Sequence, residues 1–275
     1  WRAAADLDLN LALSFMVGDR WRDVEAGRRA GCATVLVRYD YSGDANPDVS
    51  VSSLLEAARH ITHNPDMESP LDFTARYFND VAKIAAQIDR HVVADLIDLL
   101  VGLRTSGGRL FLLGVGGSAG NASHAVNDFR KICDIETYAP TDNVPELTAR
   151  TNDDGWETAF ACWLRGSRLG ARDVVGVLSV GGGDAERGVS VNLVRALEYA
   201  KSVGARIFGI VGRTGGFTAK IADVCVIVPT VNPETVTAHA EAFQSVVWHL
   251  LVAHPRLQAA PMKWESINTP PGSGR

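Results

Sequence analysis

"RLFLLGVGGSAGNASHAVNDF", residues 109–129, decides the fold. Leu110 to Leu113 form a short apolar run, the turn that follows holds Gly114, Gly116, Gly117 and Ser118, and from Ala119 the pattern is helical. A buried strand that passes through a glycine turn into a helix is half of a βαβ unit. The rhythm repeats in "DVVGVLSV" (173–180), "ARIFGIVG" (205–212) and "DVCVIVP" (223–229), each followed by a turn and a helix pattern. The reading predicts parallel strands at 109–113, 173–178, 205–210 and 224–228 in an α/β domain buried on both faces of its sheet. Ligands of such sheets bind at the carboxyl ends of the strands. Two further glycine turns, "SVGGGDAERG" (179–188) and "GRTGG" (212–216), fall at that edge. The N–H groups at a helix start favour an anion, most often phosphate. The first turn is neither a P-loop nor a clean GxGxxG, and a tight turn with no ligand has the same composition.

Outward from this core, "FNDVAKIAAQIDRHVVADLIDLL" (78–100) spaces its apolar residues for an amphipathic helix or helix pair. The polar stretch "THNPDMESP", with two prolines, reads as a linker over 62–70. It separates a first block, 1–61, from a second, 71–257, and the segment 258–275, ending "NTPPGSGR", reads as a disordered tail. A chain of 275 residues that is 46% hydrophobic can fill such cores. Net charge is −5 with no block of Lys or Arg, which argues against nucleic acid or an anionic membrane as partner. Cys32, Cys133, Cys162 and Cys225 form no CxxC pair, no apolar run approaches ~20 residues, and no secretory pattern opens the chain; a cytoplasmic protein is expected.

The ordered set "GVGGSAGNASHAVNDF", "TARTNDDGWETAF", "LSVGGG", "GARIFGIVGRTGG" and "ADVCVIVP" resembles the sugar isomerase (SIS) domain family, and within it the phosphoheptose isomerases, over roughly residues 70–255. The resemblance implies a five-stranded parallel sheet between helices, a homotetramer with shared sites, and isomerisation of sedoheptulose 7-phosphate to a glycero-manno-heptose 7-phosphate. Moving a carbonyl between C2 and C1 needs a base for the carbon-bound proton and an acid for oxygen. The family positions for this pair fall on Asp128, one methylene shorter than the family's Glu, and on His249. His124, one helical turn before Asp128, and Glu241, where the family shows a Gln, complete with them a zinc-like N2O2 set. Gly116, Gly117, Ser118, Asp142, Asn152, Asp153, Ser179, Gly181 and Gly182 fall on substrate-binding positions.

The departures from the family pattern matter as much. Its hydroxyl-rich phosphate turn is here "SVGGGD", where only Ser179 keeps a hydroxyl and Asp184 would repel a phosphate. Backbone N–H groups of the glycines remain able to form an anion nest. A second reading is therefore a non-catalytic, sugar-phosphate-binding regulatory module.

The first block has its own resemblance. "SFMVGDRWRDVEAGRRAGCATVLVRY" (14–39) resembles the last motif of haloacid dehalogenase (HAD) phosphatases of the heptose bisphosphate type. Strands are expected at 14–18 and 33–38 around a helix at about 23–30, with Asp19 and Asp23 as a residual magnesium half-site. The nucleophile motif is not in this sequence, so no phosphatase activity is expected from it. A chain opening at Trp1 with this motif reads as part of a phosphatase–isomerase fusion in heptose biosynthesis; the alternative is that the block is a relic kept for packing.

Overall fold

The structure, a computed structural model, describes Ala4, residues 9–62 and residues 69–263. It divides into two compact units, Trp1–Phe78 and Asn79–Arg275. The division falls inside a helix, and most of the expected linker lies outside the described residues.

In the first unit, β1 (Phe15–Gly18), β2 (Ala33–Val37) and β3 (Val49–Val51) form a parallel sheet in that order. Helix α1 (Trp21–Ala30) ends on Gly31, whose φ of 80° lies in the left-handed region open to glycine. Helix α2 (Leu54–Thr62) follows, and Ala57 packs with Val35, Val37 and Val51 as a small core. Strand β3 carries no alternation strong enough to be read from its three residues.

Helix α3 (Pro70–Gln87) carries the chain into the second unit, and α4 (Arg90–Ser106) makes the predicted helix pair. Asp89 sets the break by capping α4: its carboxylate accepts the N–H groups of His91 and Val92. Then come β4 (Leu110–Leu113), α5 (Gly117–Cys133), β5 (Thr137–Tyr138), α6 (Val144–Asp153), α7 (Ala159–Gly166), β6 (Val174–Ser179), α8 (Val191–Ser202), β7 (Arg206–Val211), α9 (Gly216–Ile221), β8 (Val224–Ile227) and α10 (Val236–Ala253). The sheet order is β5-β4-β6-β7-β8 and every pairing is parallel, as the four apolar runs predicted. The fifth strand, β5, is a two-residue edge strand.

Alternation along the strands divides the core. Leu110, Leu112, Leu178, Phe208 and Ile210 face one layer with α4, α5 and α10. Phe111, Leu113, Val175, Val177 and Ile207 face the other with α7 and α8. Each fully buried Leu, Val or Phe stabilises this arrangement by about 1.5–3 kcal/mol. Two results follow for the site. Helices α5 and α10 share one face of the sheet, and the strand order reverses between β4 and β6, which opens a crevice at their carboxyl ends.

The expectation of disorder from residue 258 does not hold for 258–263. The carbonyl of Ile132 accepts the N–H groups of Ala259 and Ala260, Arg104 clamps the carbonyls of Arg256 and Leu257, and Met262 packs on the core. The polar composition of the tail masks this local docking; residues 264–275 lie outside the described residues.

Candidate active site

The turn between β4 and α5 is built for close backbone approach. Gly116 takes φ 63° and ψ −130°, and a Cβ on Gly114 would collide with the carbonyl of Ser118. A Cβ on Gly117 would collide with the carboxylate of Glu241, which α10 delivers against the first turn of α5.

Further along the same two helices, His124 and Asp128 of α5 meet His249 of α10. Each offers one ligand atom, and the three atoms lie within 4.8 Å of one another. His124 Nε2 stands 3.8 Å from Asp128 Oδ2, while Asp128 Oδ1 accepts a hydrogen bond from Asn127 Nδ2 at 2.8 Å. His249 Nδ1 is 2.8 Å from the backbone carbonyl of Ser245. A carbonyl only accepts, so Nδ1 carries the proton and Nε2 is left for chemistry or a metal. The fully buried Trp248 supports both imidazoles, with ring centroids 4.7 Å from His124 and 3.5 Å from His249. His124 and His249 are exposed, so the group faces outward.

Glu241 is the correction to the four-residue metal set. It precedes His249 by two turns of α10, about 12 Å at 1.5 Å per residue. Its carboxylate instead accepts the hydroxyl of Ser118 at 3.2 Å. Ser118 is buried, and its Oγ also accepts from Gln244 Nε2 at 3.1 Å, so its proton is not available to a phosphate.

At the second glycine turn, Ser179 is buried and its Oγ accepts the N–H of Gly182 at 3.0 Å. Gly182 takes φ 72°, and Gly181 faces open space. The charge of Asp184 is tied into its own hairpin: its carboxylate accepts the N–H groups of Glu186 and Arg187 and pairs with Arg187 Nε at 3.6 Å. The third turn is no anion nest. The N–H groups of Phe217 and Thr218 go to the carbonyls of Gly183 and Gly182, so its glycines serve backbone packing between two loops.

The remaining expected residues are spread more widely. Asp142 accepts the hydroxyl of Ser123, next to His124 on α5. Asn152 and Asp153 are exposed at the end of α6, where Asn152 Nδ2 donates to Asp153 Oδ1. In the first unit Asp23 Oδ2 accepts the N–H groups of Asp19 and Arg20 and so caps α1. Asp19 accepts the hydroxyl of Tyr41 at 2.8 Å, a bond that raises the phenol's pKa. Asp23 is thus engaged by two backbone N–H groups, which leaves Asp19 as the freer carboxylate of the expected magnesium half-site.

Sequence reasoning missed Asn121, Gln244, Ser245 and Trp248, which lie between the two helices. Their signal was present: 241, 244, 245 and 248 share one helical face, and a polar stripe on an otherwise apolar helix needs partners.

A HAD-hydrolase-like family model matches residues 1–57. The lincomycin biosynthesis protein LmbN of Streptomyces lincolnensis is 28% identical over 221 residues, 76% of this chain and 77% of that protein. The phosphoheptose isomerase of Syntrophotalea carbinolica is 32% identical over 174 residues, 59% of this chain and 84% of that one. Among solved structures, the phosphoheptose isomerase GmhA from Neisseria gonorrhoeae superposes with a TM-score of 0.58 at 22% identity, covering 67% of this chain and 98% of that one. No helix among the described residues is long and apolar enough to cross a membrane.

Proposed function

The chain belongs to the phosphoheptose isomerase family, and from that premise we propose that it interconverts sedoheptulose 7-phosphate and a glycero-manno-heptose 7-phosphate through Asp128 and His249. One observation carries the assignment: side chains from two different helices bring a carboxylate oxygen and an imidazole nitrogen within 4.8 Å inside one chain. A purely binding module has no use for that pair, so the regulatory reading is not favoured.

In this mechanism Asp128 takes the proton from C1 of the ketose, giving an enediolate, and protonated His249 donates from Nε2 to O2. The proton on O1 then passes to His249 while Asp128 returns its proton to C2, so the carbonyl has moved to C1 and both groups are restored. Throughout, the Nδ1–H of His249 stays on the Ser245 carbonyl. The sugar phosphate lies with its phosphate toward the 179–182 turn, because Ser118 is committed to Glu241 and Gln244. Two groups there suit an anion. A side chain at Gly181 would meet nothing within 4 Å, so the backbone there is open to a ligand, and Asn192 Nδ2, buried in the first turn of α8, the helix that follows this turn in the chain, has no hydrogen-bond partner.

In place of that direct proton transfer, His124, Asp128 and His249 would hold a zinc ion, with His249 Nε2 then serving the metal rather than O2: two imidazoles and a carboxylate with the remaining position open is a catalytic zinc set. The carbonyl on His249 Nδ1 fits, since it leaves Nε2 for the metal. Bound there, zinc would polarise the sugar carbonyl. In the first unit, no magnesium-dependent step is assigned to Asp19 and Asp23. Assembly as a homotetramer in the cytoplasm completes the proposal, and the outward-facing histidines are consistent with a site closed by a neighbouring subunit.

The test is direct. Purified protein incubated with sedoheptulose 7-phosphate should form the aldose phosphate, and Asp128→Asn and His249→Asn should each abolish turnover while substrate still binds. A wild-type chain that binds the sugar phosphate without turnover, with and without zinc, would return the regulatory reading.

A further inference from the structure

Between the glycine turn and the Asp128–His249 pair, α5 and α10 are joined by a polar chain that crosses the helix interface. Asn121 Nδ2 donates to the backbone carbonyl of Glu241 and to Gln244 Oε1, both at 2.9 Å. Gln244 Nε2 donates to Ser118 Oγ at 3.1 Å, and Ser118 passes its proton to Glu241 Oε1 at 3.2 Å. On the other side, Ser245 Oγ donates to Asn121 Oδ1 at 2.7 Å. The backbone carbonyl of the same Ser245 accepts His249 Nδ1–H at 2.8 Å.

This chain has a single consistent direction. The carbonyl of Glu241 accepts only, which fixes the amide of Asn121. Asn121 then turns Gln244 so that its oxygen faces Asn121 and its nitrogen faces Ser118, and the hydroxyl of Ser118 must point at Glu241. Gln244 and Ser118 are buried, so any slip of one helix along the other would strand buried donors. A carboxylate and an imidazole on separate helices keep their spacing only if the helices keep their register.

We infer that Asn121 is a positioning residue for the isomerase reaction: it locks the register of α5 against α10, through the Glu241 carbonyl, Gln244 and Ser245, and so holds His249 of α10 facing Asp128 of α5. This rests on the reading of Asp128 and His249 as the proton-transferring pair. Asn121 touches neither of them, and no simpler packing role needs both of its amide protons and its oxygen engaged at once.

The experiment compares Asn121→Ala and Ser245→Ala with wild type in the full chain. Turnover of sedoheptulose 7-phosphate is measured, and His249 is observed by long-range 1H–15N correlation in protein labelled with 15N-histidine and assigned with His249→Asn. Each variant should lose tenfold or more in kcat with KM within about twofold, the scale of losing a group that orients a site residue. The double variant should be no worse than Asn121→Ala alone. In both variants the His249 ring resonances should shift, because His124 and Asp128 of α5, which face that ring, move when the register of the two helices relaxes. Wild-type kcat in both variants, or an activity loss that only tracks the folded fraction with His249 shifts unchanged, overturns the inference. Should Asn121→Ala fail to fold, Ser245→Ala, which removes one half-buried hydroxyl, decides the matter by the same readouts. The His249 ring signal needs no turnover, so a chain lacking isomerase activity whose His249 still responds would overturn the proposed reaction and leave the positioning intact.

Discussion

The carboxylate of Asp128 on α5 and the imidazole of His249 on α10 lie within 4.8 Å of one another in a single chain. The spacing is short enough for both groups to reach adjacent carbons of one sugar. General acid–base groups contribute roughly 10²–10⁴-fold each, so Asp128→Asn and His249→Asn should each lower kcat by at least about 10²-fold. Lengthening the side chain with Asp128→Glu should keep activity within about tenfold of wild type, since the carboxylate is retained. Initial-rate assays on the three variants check this.

Zinc binding should depend on three residues rather than four. Calorimetric titration with zinc should show one site in wild type and in Glu241→Gln, because Glu241 is engaged with Ser118 two helical turns away. His124→Asn or His249→Asn should weaken it at least tenfold.

Gly114→Ala should destabilise for a local reason. The added methyl meets the backbone carbonyl of Ser118, which cannot swing aside, and overpacking of this kind costs about 1–3 kcal/mol. Chemical denaturation should show a lower midpoint in Gly114→Ala, whereas Gly117→Ala, whose methyl meets only the far end of the Glu241 side chain, should fall by less. Equal losses would place the strain elsewhere in the turn.

Asp173 ties the amino ends of β4 and β6 through Arg109, at 2.8 Å. Burial pushes its pKa up, but hydrogen bonds from the Arg109 guanidinium and from the backbone N–H groups of Arg109 and Gly170 outweigh it and hold the carboxyl below its usual value. A depressed folded pKa gives stability that is present above the unfolded value of about 3.9 and lost as pH falls through the folded one. Asp173→Asn should cost about 1–3 kcal/mol near neutral pH, since Arg109 is partly exposed and keeps the carbonyls of Ser167 and Arg168. The gap from wild type should shrink as the pH is lowered below about 4, as followed by thermal melts across pH.

Cys133 should be inert in the folded protein. It is fully buried, and burial pushes its thiol up to about 12. The thiolate is the reactive form, so a thiol reagent at pH 8 should leave Cys133 unlabelled until denaturant is added. Mass spectrometry of the labelled peptides reads this directly.

Much of the second unit was legible because its signals are local. The apolar runs of β4, β6, β7 and β8 are short, bounded by turns and buried on both faces, and this is how a parallel strand reads in one dimension. The glycines of the turns fit close packing and unusual backbone angles: side chains at Gly114 and Gly182 would strike backbone carbonyls, and Gly116 and Gly182 take positive φ. His124 and Asp128 could be paired from their spacing on one helix. Strand β5 escaped because two residues carry no period, and β3 because three carry little.

What the sequence determined by itself was the central strands, the glycine turns between strand and helix, and the chemistry each could carry; what only the tertiary structure decided was which of them meet. Glu241 and His249 read as two ligands of one metal, yet the rise of α10 sends one to the glycine turn and the other to Asp128. Asp184 read as a charge facing a phosphate, but its hairpin turns that charge onto Arg187. Asn121, Ser118, Gln244 and Ser245 became one hydrogen-bonded chain only once α5 and α10 lay side by side on the same sheet face. The reason is geometric: residue spacing fixes direction within a helix, whereas the distance between two helices is set by how their buried faces pack on the sheet, a property of the whole fold.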